Sequence, residues 1–338
     1  MNKTENMDFI IKTESLVKPQ DVTAISFLGD FNKLLPKKSQ DKIMKKGSKL
    51  IEYMGFIVEP YAFFIAYEIK DKEKAQEYLP QDYELVETSI FEGGEKKNLL
   101  IVSAFTARTS AFIGTRLEFY LIAKNINTGI TSWIIADYET NTNSHDPKNG
   151  FCGYSSDSVV FTTTPYGELI ADFKSKNNRI FSSICNIKDG DWEILDQNLW
   201  VEGNLSIDYG GVLKDESSEN FSLIFDPFLM KEAINIPLDN LNIGANTFFN
   251  DIIDPHNPVT CAIFPYSQHF VIKQDLKEGE LTKEDQLEGF INRFVHSKNL
   301  KTMAGDDIKK PIIKGLIITW ILNIAVIGFL VLKVTHII

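Results

Sequence analysis

One carboxylate, Glu118, interrupts the apolar run LEFYLIA at 117–123. A charge in such a strand must face solvent or find a partner in a cavity, because an unpaired buried carboxylate is costly. Arg108 and Arg116 are the nearest cationic candidates along the chain. A second group of candidates lies in the polar stretch 141–156, NTNSHDPKNGFCGYSS, between two predicted strands. Long loops of this kind often carry function. Its potential nucleophiles are Lys148, through a Schiff base, and Cys152, through a thiolate. A solvated connection between strands is the alternative for the same residues. His145 and His256 sit in turns, His296 on a late helix and His336 near the C-terminus. His269 falls in a predicted strand, where a satisfied structural histidine is expected. No GxGxxG follows a strand, and GxxxxGK[ST], HExxH and GxSxG are missing from the sequence. Cys152, Cys185 and Cys261 are widely spaced and odd in number. Neither a disulfide framework nor a metal site is therefore expected, and no cofactor is implied.

The elements that must position these residues are mostly strands. Between Pro60 and Lys273, short β-rich runs recur: 63–69, 99–105, 117–123, 131–138, 158–164, 168–173, 179–187 and 221–225. Turns such as Gly93-Gly94, Asn127-Thr128-Gly129 and Lys188-Asp189-Gly190 separate them. Without alternating helices, a parallel doubly wound sheet is disfavoured and an antiparallel barrel or two-sheet body is expected. Several runs are apolar on both faces, which predicts packing on both sides of a sheet. Residues 1–58 read as helical, with Ser39 capping a helix to about Met54. A short helix is predicted at 72–78. An amphipathic one follows at 282–298, with Leu287, Ile291, Phe294 and Val295 on its apolar stripe. Residues 299–310 read as a polar linker.

The 338 residues carry a formal charge of −11, with 43% hydrophobic and 24% charged residues. The acidic balance argues against a nucleic-acid partner. The mean hydropathy of −0.11 hides a concentration of apolar residues at 315–332, GLIITWILNIAVIGFLVL. At 1.5 Å per residue this stretch spans roughly 27 Å, close to the bilayer's hydrocarbon thickness. It reads as a transmembrane tail anchor. Lys309, Lys310 and Lys314 on its N-terminal side predict that the bulk of the chain is cytoplasmic. The N-terminal residues lack the apolar run of a secretory signal.

The segment FFIAYEIKDKEKAQEYLPQDYELV (63–86) resembles the opening of the acetoacetate decarboxylase family. Thr109-Ser110, Gly114 and Glu118 are similar to that family's Thr-Ser…Gly…Glu strand, and 224–255 to its closing segment. The resemblance covers about residues 60–273. It implies an α+β, mainly β fold, an antiparallel cone or barrel around an enclosed pocket, and Schiff-base decarboxylation of a β-keto acid by a lysine. It also implies departures at the site. The family's lysine pair falls on Ser155-Ser156, its pocket arginine on Glu68 and a second pocket glutamate on Val102, while Glu118 matches.

The expected organisation is thus an N-terminal helical segment (1–58), a decarboxylase-like β domain (59–275), an amphipathic helix (282–298) and a transmembrane helix (315–332). The expected function is binding of a small apolar or carbonyl-containing ligand near Glu118, Arg108, Arg116, Glu68, Ser155 and Ser156, without the family's decarboxylation. The alternatives are a lyase acting on a keto acid through Lys148 and a scaffold subunit of a membrane complex. Expected partners are the lipid bilayer, the small ligand, and a second copy or a membrane-complex subunit.

Overall fold

A computed structural model describes residues 3–19, 22, 35–40, 53–109, 112–142, 144–146, 150–152, 154–208, 219–274, 281–298 and 305–335. The strands are β1 (Met54–Val58), β2 (Ala62–Glu68), β3 (Tyr83–Leu85), β4 (Glu87–Thr88), β5 (Lys97–Thr109), β6 (Ile113–Asn125), β7 (Thr131–Thr140), β8 (Ser144–Asp146), β9 (Gly150–Cys152) and β10 (Ser156–Thr163). They continue with β11 (Glu168–Ser175), β12 (Ile180–Asn186), β13 (Asp191–Ile194), β14 (Leu205–Asp208), β15 (Glu219–Ile224), β16 (Glu232–Asn235), β17 (Leu241–Asn246), β18 (Thr260–Phe264) and β19 (Gln268–Gln274). The helices are α1 (Lys3–Leu16), α2 (Lys72–Gln76), α3 (Gln197–Trp200), α4 (Glu284–His296) and α5 (Gly305–Thr335).

The large sheet curls on itself. β5 pairs with β1, β1 with β19, β19 with β15, β15 with β14, β14 with β7, β7 with β6, and β6 again with β5. That last pairing, from Leu100↔Leu121 to Arg108↔Ile113, closes the ring. The β14–β7 pair is parallel, whereas the other pairs of the ring are antiparallel. A ring of about this size has an interior just wide enough for side chains or one small ligand. β1 and β2 run one after the other along the same edge of β5, with a break at Tyr61, which has φ 74°. β2, β18, β16 and β13 leave the ring at that break as a flap. A smaller sheet, β10-β11-β12-β17, lies against the outer face of the large one.

The long strands therefore separate two cores, which is why they are apolar on both faces. On β6, Tyr120 and Ile122 point into the ring, while Leu117, Phe119 and Leu121 point toward the small sheet. Phe63 meets Phe161 at 5.8 Å and Phe181 at 6.1 Å across that second core. The mainly antiparallel β body expected from the sequence is what the chain forms.

Two boundaries differ from the expectation. Met54–Val58 is a strand inside the segment read as helical, because Leu50, Ile51 and Met54 carry a helical spacing up to MGFIV, which is apolar throughout and shows no alternation of its own. The proposed helix 39–54 lies mostly outside the described residues, as 41–52 do. The linker shortens as well, since α5 begins at Gly305. α4 forms where expected, with Gln286 Oε1 accepting from the backbone N–H groups of Thr282 and Lys283.

α1 seals the outside of the ring at β1. A Cβ on Gly55 would lie 2.9 Å from Leu16 Cβ and 3.1 Å from the Thr13 carbonyl oxygen. Glu14 of α1 reaches Arg108 at 3.4 Å and His269 at 3.1 Å, the two residues that flank Ile57 across β1. Gly55→Val should push α1 off this seat at a cost of about 1–3 kcal/mol, the usual range for overpacking. Urea denaturation would read the loss, and limited proteolysis should then cut first within 3–16.

Candidate functional site

The turn between β5 and β6 sets the position of Glu118. Thr109 Oγ1 accepts from the Phe112 N–H at 2.9 Å, and the Thr109 N–H donates to the Phe112 carbonyl at 2.9 Å. Gly114 leaves room for Asn141 Oδ1, which accepts from the Thr115 N–H at 2.8 Å; a Cβ there would sit 2.5 Å from that oxygen. Thr109 and Gly114 thus set the register in which β6 enters the ring. That register turns Arg116, Glu118 and Tyr120 inward.

These three form the polar corner of a cavity of about 250 Å³ inside the ring. Arg116 Nε lies 2.7 Å from Glu118 Oε1, and the Tyr120 hydroxyl donates to Glu118 Oε2. The Arg116 guanidinium lies 4.8 Å from the Tyr138 ring centroid and 5.9 Å from that of Phe112. Glu118 is 5% exposed, so its charge is offset inside the protein rather than by water. Tyr138 reaches this face because β7 carries an irregularity, pairing Asp137 with Phe119 but Ile135 with Tyr120. Before it, Trp133 and Ile135 line the cavity; beyond it, Tyr138 turns to the same side of the sheet and packs on Arg116. Such a bulge re-aims one side chain.

Aromatic rings make up much of the remaining wall: Phe56, Phe64, Phe105, Trp133, Trp200 and Phe270. Trp133 Nε1 donates to the Leu199 carbonyl at 3.2 Å and Trp200 Nε1 to the Ile90 carbonyl at 3.1 Å. Both indoles therefore offer the cavity apolar surface. Gly203 permits the Trp133 bond, since a Cβ there would lie 2.5 Å from that same carbonyl. Asn204 and Gln268 add two amides to the wall, 5% and 3% exposed.

Of the residues read from the sequence, the structure brings Glu118 and Arg116 together at the cavity. It places Arg108 on the outer face, 2.5 Å from Glu59 and 3.4 Å from Glu14. Glu68 ends β2 in solvent, 3.1 Å from Lys97 Nζ. Ser155 Oγ accepts from the Thr140 N–H at 2.9 Å, and Ser156 is buried at the start of β10; neither lines the cavity. Val102 points into the second core. Lys148 lies outside the described residues, and of Cys152 only the backbone is described, in β9. Among the described residues no lysine lines the cavity, and no cluster of His, Cys, Asp or Glu has the makings of a metal site. Sequence reasoning missed the amides Asn204 and Gln268 and the aromatic wall, for which no motif exists.

No family model matches the chain, and no curated protein matches it. Among solved structures, it is similar to acetoacetate decarboxylase from Legionella pneumophila subsp. pneumophila str. Philadelphia 1, at 14% identity over 66% of this chain and 88% of that one, with a TM-score of 0.42. An acetoacetate decarboxylase-like enzyme from Sphingomonas wittichii RW1 is similar at 8% identity over 67% and 94%, with a TM-score of 0.40. The enduracididine biosynthesis enzyme MppR follows at 8% identity over 66% and 85%, with a TM-score of 0.35. The first two carry the family name reached from the sequence motifs. At these identities no residue role passes from them to this chain.

Proposed function

We propose that the chain is a membrane-tethered binding protein that encloses one small, largely apolar molecule in its β ring. The observation that carries this reading is the cavity itself: about 250 Å³, walled by aromatic rings, with one internally neutralised polar corner. Ligand sites are typically concave, mostly apolar and supplied with a few placed polar groups. Schiff-base chemistry requires an amine at the reacting carbon, and the described wall supplies none. Arg116 is already engaged by Glu118, which disfavours a carboxylate ligand.

The tether is α5. Residues Ile313–Val331 have a mean hydropathy of 2.1, and none of this window is buried against the rest of the chain. Its length and composition suit a bilayer crossing, and Lys309, Lys310 and Lys314 at the N-terminal end of the apolar run favour a cytoplasmic body. The full chain should stay in the membrane pellet through an alkaline carbonate wash; release into the supernatant would remove the tether from the proposal.

For the site, the full chain in lipid nanodiscs is incubated with acetoacetate and sodium borohydride, and its intact mass is read. An unmodified mass is expected. A reduced adduct on any lysine would overturn the binding reading in favour of a lyase.

A further inference from the structure

We infer that α5 is also an interaction surface: two copies of the chain pair along their membrane-spanning helices, with the Asn323 side chains hydrogen-bonded to each other across a two-fold axis. The inference rests on the reading of α5 as a bilayer crossing and adds its partner. Within Ile313–Val331, Asn323 lies one residue past the middle. At that depth water is least accessible and an unmet amide costs most. Asn323 is exposed, and none of the window is buried against the rest of the chain, so the β body supplies that amide no partner. Its own helix supplies little, because the backbone groups around it are taken up by helical hydrogen bonds. Thr319 is settled within the helix, where its Oγ1 donates to the Gly315 carbonyl at 2.9 Å.

The sequence around Asn323 fits a helix as the partner. Thr319, Asn323, Val326 and Leu330 recur at spacings of four, three and four, and all four are exposed. That repeat keeps one seam of a helix against another, and a single Asn in such a seam fixes the register. Asparagine side chains hydrogen-bond across helices in bilayers, and a small residue such as Thr319 lets the backbones approach. The chemistry of the amide then selects a second copy. Copies inserted the same way hold residue 323 at one depth. An amide carries both donor and acceptor, so two of them satisfy each other reciprocally about a two-fold axis. Trp320, three residues away, carries only a donor and cannot pair with its own copy.

The test uses the full chain with a donor or an acceptor fluorophore at its N-terminus, reconstituted in phosphatidylcholine vesicles over a range of protein-to-lipid ratios. Flotation of the vesicles shows whether the chain is held. Energy transfer above that of randomly distributed labels is expected. Asn323→Leu should need about tenfold more protein per lipid for half-maximal transfer. Asn323→Gln, which keeps an amide, should retain most of the association, and Ile321→Leu, on the opposite face, should match the unaltered chain. Equal transfer in the unaltered chain and Asn323→Leu would overturn the Asn323 pairing. Weakening by Ile321→Leu as large as that by Asn323→Leu would overturn the seam. A chain that floats with the vesicles yet shows no transfer at any ratio would overturn the second copy as partner and leave the tether standing. A chain that does not float would overturn the tether and this inference with it.

Discussion

Arg116→Met should lower the unfolding free energy by about 3 kcal/mol, because it leaves Glu118 charged and buried with its nearest cation gone. The figure is at the low end for a broken buried pair, since the Arg116 side chain is 19% exposed and water reaches part of it. Methionine keeps most of the length that covers Phe112 and Tyr138, so lost packing contributes little. The double variant Arg116→Met with Glu118→Leu should recover most of the loss, because a well-packed apolar pair is often as stable as a buried ion pair. Urea denaturation of the three variants measures the cycle. If the double variant were no more stable than Arg116→Met, the pair would not be the reason Glu118 tolerates burial.

The same pair shows what the sequence discloses and what it withholds. A lone acid in LEFYLIA signals a buried polar site, and that signal needs no alignment. Its partner is harder to find. Arg108 and Arg116 are both close in sequence, yet the β5–β6 hairpin sends Arg108 outward to Glu14 and Glu59 and Arg116 inward to Glu118. Only the register, Arg108↔Ile113 and Ser103↔Glu118, separates them, and register depends on a turn whose chemistry resides in Thr109 and Gly114.

Strand content was legible because the β-rich runs are short and punctuated by turn residues. Closure of the ring was not, since it depends on Met54–Val58 meeting Gln268–Gln274 from the far end of the body, and no local pattern encodes that pairing. Asn204 was invisible for a related reason. It becomes a wall residue only because α3 and Gly203 bring Trp133, Leu199 and Asn204 to one place. The irregularity in β7 hides Tyr138 from any alternation argument, because the strand changes which parity faces inward partway along its length.

The largest stability effect is expected on the other side of the same strand. Phe119 is fully buried on the outer face of β6, stacked on Phe248 at 4.5 Å and tilted against Phe249 at 5.3 Å. Those contacts join the large sheet to the segment that follows β17 of the small one. Arg179 reinforces the same joint, lying 4.5 Å from the Phe248 ring centroid and 2.7 Å from Glu139 Oε1, with Asp137 also in contact. Phe119→Ala removes the ring and leaves a void between two sheets that cannot collapse independently, so a loss of about 4 kcal/mol is expected. That is a large share of the stability of an ordinary domain, about 5–15 kcal/mol. Phe119→Leu should restore roughly half of it, since it refills part of the volume without the stack. The damage should also be one-sided. Hydrogen exchange should accelerate in β10, β11, β12 and β17 while β1 and β19, which wall the cavity, keep more of their protection. Equal acceleration on both sides of β6 would show instead that the two cores unfold as one unit, and the cavity would owe its shape to the small sheet as much as to the ring.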